Sequence, residues 1–328
     1  RCGRGGSART GSRDARAPLL RISLFLLLGA AVSVEAAAGE LTDARWISPG
    51  ADHVAALTQA PGECLATPAN GETAYSVEVG RVAFKSPLLL GGQAARGGLS
   101  CASCHVDGRA NPAFFIEGLS GAPGTADVTS SVFSDMREDG DFNPAPIPTL
   151  VDAGRKASFG SAAAPSLHAF INAALIEEFQ AETPPEAVLN GLIAYVNALD
   201  PSACPDAPVA QTSRRAMSDV DRALVAAMQA YENGDTETAD FMLASAQAML
   251  GRINERFPSD KGAPLRADLA VLSRDIAMAR KAPDEAVARL PDIRRDARRL
   301  DKRLHKARRF SLYDPRALAD FLGRQEEN

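Results

Sequence analysis

The sequence predicts an all-α protein, with a loop-rich first part and an almost wholly helical remainder. Apolar residues recur at helical spacing over 166–179, over 184–199 and repeatedly after 213. Alanine is plentiful while aromatic residues make up only 5% of the chain, a balance that favours helices over a β-sandwich. With 328 residues, 45% hydrophobic and 23% charged, the composition is globular and long enough for one large domain or two medium ones.

The N-terminal region reads as an export signal. Arg16 and Arg21 flank the start of the apolar run ISLFLLLGAAV, and the small residues of VSVEAAAGE follow, with cleavage expected after Ala36 or Ala38. The run is shorter than the ~20 residues of a spanning helix, so no stable membrane span is expected after cleavage. Residues 1–16 are expected to be an over-extended start or a fragment, and Cys2 carries no functional weight. Residues 1–38 are thus assigned to an upstream extension and signal peptide. Loss of residues 1–36 removes six Arg and two acidic residues and takes the formal charge from −5 to −9. Nucleic-acid binding needs basic phosphate contacts and is disfavoured; docking against a basic protein is compatible.

Residues 39–75 are irregular and contain Trp46, the only tryptophan. SVEVGRVAFKSPLLLG, residues 76–91, offers a short helix running into a loop. From 106 to about 165 the chain is dense in Gly, Pro, Asp and Asn, a length that suits a loop wrapped round something. SLHAFINAALIEEF and PPEAVLNGLIAYVNAL are two amphipathic helices that close the first domain, placed at 39–204. PDAPVAQTS reads as a linker, 205–213. The helical accessory domain, 214–328, contains one helix lined by Met217, Val220, Leu224, Met228 and Tyr231 and another lined by Phe241 to Phe257. Two more are expected at 264–281 and 284–308, the last interrupted or kinked at Pro291. The basic run RRDARRLDKRLHKARR carries a buried stripe at Ile293, Ala297, Leu300 and Leu304; its other face is a solvated surface or a place for a protein partner to dock.

GLSCASCHVDGR, residues 98–109, carries the chemistry. Cys-x-x-Cys alone suits a redox dithiol, half a zinc site or a disulfide, but a histidine directly after it is the attachment signature of c-type haem. Cys101 and Cys104, one helical turn apart, would form thioethers with the two vinyl groups, and His105 would ligate the iron from the proximal side. Zinc lacks a second Cys/His pair at ligand spacing, and a thioredoxin-like site lacks its βαβ surroundings. The chain has one such motif and so one covalent haem c is expected. For the sixth iron position the candidates are Met136, the only methionine between the motif and Cys204, and equally an open or otherwise filled position, with His168 behind both. The two remaining cysteines, Cys64 and Cys204, bracket the first domain, and a disulfide between them is expected in an oxidising compartment.

VGRVAFKSPLLLGGQAARGGLSCASCH is similar to the opening of the bacterial cytochrome c peroxidase family. The following loop, IPTL at 147–150 and the two closing helices resemble a mono-haem offshoot of it, over about residues 75–200. The resemblance implies a cytochrome c-like haem domain, with attachment at Cys101 and Cys104 and proximal ligation by His105. Members of that family are di-haem, and no second motif stands here. Glu117, Asp127, Glu138 and Asp139 read as solvated or turn carboxylates rather than as an acid–base group for peroxide cleavage. The expected function is periplasmic one-electron transfer between redox partner proteins. A peroxidase-like enzyme with an open haem face and an external donor is the alternative, and a haem-containing binding or sensor module is another.

Overall fold

The computed structural model describes residues 41–326 apart from 67, 69–70, 157 and 161–163; the expected signal segment and Cys2 lie outside the described residues. The first part contains α1 (His53–Thr58), α2 (Gly71–Lys85), α3 (Gly92–Gly97), α4 (Cys101–Cys104), α5 (Leu167–Ala173) and α6 (Glu186–Asn197). Its centre is the crossing of α2 and α6. A Cβ on Gly80 would lie 1.9 Å from the Gly191 carbonyl oxygen, and one on Gly191 would lie 2.8 Å from the Ser76 carbonyl oxygen. Only two glycines let the backbones approach this closely. The contact brings Phe84 of α2 against Tyr195 of α6, ring centroids 5.1 Å apart, in a core shared with Val77, Val82, Val188 and Leu192. Burying side chains of this size stabilises by roughly 1.5–3 kcal/mol each.

Between α4 and α5 the chain is mostly loop, punctuated by β2 (Thr125–Ala126) pairing antiparallel with β3 (Ala145–Pro146). The Ser166 side chain accepts a hydrogen bond from Ala169 N–H and so caps α5. The segment expected as one helix over 166–179 changes geometry part-way. After Ala173 it continues as a π-helical turn, Ala174–Glu178, and stops where Gln180 adopts φ +52°. Gly91 sits against this stop, its Cα so near the Gln180 carbonyl that a Cβ would lie 2.1 Å from it.

The second part comprises α7 (Ser213–Glu232), α8 (Thr236–Glu255), α9 (Ala263–Lys281), α10 (Pro283–Lys306) and α11 (Pro315–Glu326). Thr212 and Asp235 accept backbone hydrogen bonds at the starts of α7 and α8, and Gly234 makes the turn between them at φ +74°. α10 continues through Pro291 as one helix, so the sequence is not interrupted there. Its apolar stripe Leu290, Ile293, Ala297, Leu300 and Leu304 is buried. Part of its basic face is paired: Arg294 with Asp221 at 2.6 Å, Arg303 with Asp268 at 2.6 Å.

The two parts are joined by more than the chain. β4 (Val209–Ala210), inside 205–213, pairs antiparallel with β1 (Gln59–Ala60). One hydrophobic cluster runs from α2 and α6 through α7, α8, α9 and α10. A smaller one joins Leu41, Ile47 and Leu57 to Leu312, Leu318 and Phe321. Ser245 of α8 donates to the Ser86 hydroxyl at 2.8 Å, and Thr42 donates to Glu255 at 2.7 Å. The described residues from 41 to 326 accordingly belong to a single compact unit. Among the described residues no helix is long and apolar enough to cross a membrane.

Candidate functional site

α4 places the two motif cysteines one turn apart. It is short, and its N-terminus is held by a reciprocal pair in which the Ser100 hydroxyl accepts from the Ser103 backbone and the Ser103 hydroxyl accepts from Ser100 N–H. Cys101 and Cys104 are partly buried and free, not bonded to each other. His105 ends the helix, and its Nδ1 lies 3.0 Å from the Pro148 carbonyl oxygen. With Nδ1 carrying the proton for that bond, Nε2 is the nitrogen left for a metal. Burial pushes the His105 pKa down to about 4 against the raising effect of the Pro148 bond, so the ring is neutral at pH 7. Burial also pushes the Cys101 thiol up to about 12 and the Cys104 thiol higher still. These are poor sites for thiolate redox chemistry.

The donor set fits a c-type haem: two free thiols on one turn and a neutral imidazole with one nitrogen anchored. It fits zinc poorly, because among the described residues no group of three or more His, Cys, Asp or Glu could hold a metal ion. A haem asks the protein for fewer ligands than that.

The backbone after the motif is fixed from two directions. Asp107 adopts φ +52° and is buried. Its carboxylate accepts from Gly62 N–H at 3.1 Å and from Arg215 Nη2, with both oxygens at 2.7 Å. Arg215 belongs to α7, so the second part of the chain holds the turn after the motif directly. Arg109 donates to Cys64 Sγ at 3.0 and 3.3 Å, and Cys64 is bonded to Cys204 across 140 residues. A cleft of about 730 Å³ takes Ala102, Ser103 and Val106 from the turn but none of Cys101, Cys104 or His105, and so lies on the turn's other face. Trp46 also lines it, with a buried indole N–H that has no partner.

Neither named candidate for the sixth position is buried. Met136 is 63% exposed, and His168 is exposed on α5. Of the loop carboxylates, Asp127 is a buried turn residue that accepts from Thr129 and Asn143, while Glu117, Glu138 and Asp139 are exposed. The carboxylate that sequence reasoning missed is Glu178, in the π-helical turn. Its side chain is 11% exposed and accepts from Arg137 Nη1 at 3.2 Å. Burial pushes its pKa up to about 7, outweighing Arg137. The sequence signal for it was weak: an acidic residue at the end of an amphipathic helix ordinarily faces water.

Buried ionic groups also brace the α2–α6 crossing. Glu63 is 6% exposed and paired with Arg81 and with Lys85 at 3.4 Å, while Tyr195 Oη donates to it at 3.2 Å. Burial raises its pKa, but Lys85 and Arg81 overcome this and hold it at about 2.

Comparison with family models, with curated proteins and with solved structures finds no match to this chain.

Proposed function

We propose that this chain is a mono-haem c-type cytochrome, exported to the periplasm or a comparable compartment, that carries single electrons between partner proteins. The observation that carries the reading is the Cys101–Cys104–His105 turn with His105 Nδ1 anchored on Pro148. Iron in the bound haem would supply the one-electron couple. The chain's own residues do the rest. Cys101 and Cys104 would each hold the group through a thioether, formed by adding the thiol S–H across one vinyl double bond with no oxidant or reductant consumed. His105 presents Nε2, with its ring direction set by the Pro148 carbonyl. The Asp107–Arg215 pair and the α2–α6 crossing hold the turn against the core. Rigid placement of this kind suits a carrier, because little has to move when the iron changes charge. The Cys64–Cys204 disulfide and the export signal in the sequence support an oxidising compartment.

The test is covalent retention. Protein matured with a c-type haem assembly system should stay coloured through denaturation and acid–acetone extraction, with one haem mass on the intact chain. Colour that leaves with the solvent would refute the assignment. Cys104→Ala should leave at most one labile thioether.

A second reading has one specific observation in its favour. Met136 and His168 are both turned to solvent, which favours an open sixth position and a peroxidase-like enzyme served by an external donor. A high-spin ferric spectrum with rapid peroxide turnover would select it. A low-spin, six-coordinate spectrum in both oxidation states would select the carrier.

A further inference from the structure

We propose that Cys64–Cys204 is an exchangeable disulfide: an external dithiol opens it by attack on Cys204, and Arg109 stabilises Cys64 as the departing thiolate. Haem takes no part in either step. What singles out this bond is how unequally its two sulfurs are housed.

They differ first in access. Cys64 is fully buried, at 0% exposure. Cys204 is partly exposed and stands between the exposed Ser202 and Asp206, on the segment that leads into β4. An incoming thiolate meets the Cys204 sulfur, and Cys64 is the sulfur that leaves.

They differ also in charge. Arg109 Nη2 and Nε donate to Cys64 Sγ at 3.0 and 3.3 Å, and among the described residues its guanidinium makes no other bond. The neighbouring carboxylates are engaged elsewhere: Asp107 with Arg215 and Gly62 N–H, Glu63 with Arg81 and Lys85, Asp200 with Arg155 and Ser202. Asp206 is exposed. A disulfide sulfur is a weak and neutral acceptor, so in the oxidised chain this partly buried cation has no counter-ion. A thiolate in the same place would be one. A cation beside a sulfur lowers the pKa of its thiol, and a thiol of lower pKa leaves faster.

The backbone keeps the pair together when the bond opens. On one side β1 and β4 pair Ala60 with Val209. On the other, Asp200 N–H donates to the Cys64 carbonyl at 2.8 Å, and Ala66 N–H donates to the Ala198 carbonyl at 2.9 Å. Opening therefore exchanges a covalent tie for an Arg109–thiolate pair inside an intact frame, and the reverse reaction finds both sulfurs in place.

The chemistry balances in two displacements. A thiolate of the dithiol attacks Cys204 Sγ, a mixed disulfide forms, and the electron pair of the broken S–S bond goes to Cys64. The second thiolate of the reductant then attacks its own sulfur in the mixed disulfide and expels Cys204. The dithiol leaves as a disulfide, having given two electrons. Of its two protons one ends on Cys204 and one goes to water, while Cys64 remains a thiolate beside Arg109.

The test begins on the native mature chain without any variant. Excess glutathione, a monothiol, is added briefly, the reaction is stopped with acid, and the adduct is located by peptide mass spectrometry. Glutathione should be on Cys204 with Cys64 free. An adduct on Cys64, or one shared equally between the two, overturns the proposal, and so does a native chain that forms none while urea-unfolded chain reacts. Rates of opening by dithiothreitol are then compared for wild type, Arg109→Gln, Arg109→Lys and Arg155→Gln, each with native circular dichroism. Arg109→Gln should be about tenfold slower and Arg109→Lys closer to wild type. Arg155→Gln, which removes a cation from the Cys204 side, should match wild type. Equal rates for wild type and Arg109→Gln, or equal slowing in Arg155→Gln, overturn the proposal. The glutathione map decides the direction of attack even where an Arg109 variant does not fold.

Discussion

Gly80→Ala and Gly251→Ala make the same change in the interior of two helices and should act in opposite directions. Both replace a poor helix former with the best one, a gain of about 0.5–1 kcal/mol. At Gly251, in α8, a new Cβ meets nothing within 4 Å, so the gain is expected undiminished. At Gly80 the Cβ would lie 1.9 Å from Gly191 O, 2.3 Å from Gly191 C and 2.7 Å from Leu192 N. All three are backbone atoms, which cannot step aside as a side-chain tip can. α2 and α6 must separate by more than 1 Å, loosening the Phe84–Tyr195 contact and the apolar side chains around it. Overpacking costs typically about 1–3 kcal/mol and occasionally more, and backbone obstruction places this site at the upper end. After the helix-propensity gain the net loss should be about 2 kcal/mol, against a gain of about 0.5–1 kcal/mol at Gly251. Urea denaturation of the mature chain, followed by far-UV circular dichroism, should move the two midpoints apart. A Gly80→Ala protein at least as stable as wild type would refute the close-crossing argument.

Glu63→Gln should destabilise by about 3–5 kcal/mol, because Arg81 and Lys85 lose a buried carboxylate partner. Movement of the Glu63 pKa from the ordinary 4.5 to about 2 corresponds to about 3 kcal/mol, an independent route to the same size. Because the folded value is depressed, this stability is fully present above about pH 5 and is lost as pH falls towards 2. Acid titration of stability should be shallower over that range in the Gln variant, and an unchanged acid slope would count against the pairing. Reduction of Cys64–Cys204, which closes 140 residues, should cost up to about 5 kcal/mol in the chain-entropy treatment. Equal urea midpoints for the oxidised and reduced proteins would refute that cost.

What the sequence made legible was chiefly what short-range periodicity records. The helices at 184–199 and in the second part show it well, because an apolar stripe at 3.6-residue spacing survives without knowledge of its partner. α2 was legible only as a short apolar piece: Gly80 interrupts the local pattern, and its reason for being there, the carbonyl of Gly191, stands 111 residues away. The motif cysteines and His105 were legible because they stand together within five residues, a pattern that needs no knowledge of the fold to be seen. Glu178, the Asp107–Arg215 pair and the Glu63 cluster were not. Each is a charged residue that reads locally as solvated, and each gains its meaning only from groups far along the chain. The π turn was equally hidden, since 166–179 has the apolar spacing of an ordinary helix. At Pro291 the sequence left an interruption or a kink open, and the helix runs on through it without a break.

Thr42 bonds Glu255, and Leu41, Ile47 and Leu57 pack on Leu318 and Phe321, so the earliest described residues depend on the last helix for their cover. Contacts of such long sequence separation form slowly, because the ends of a large loop must meet first. Leu41, Ile47 and Leu57 are therefore among the last apolar side chains to find cover, and the first part of the chain stays incomplete until α11 has docked on it.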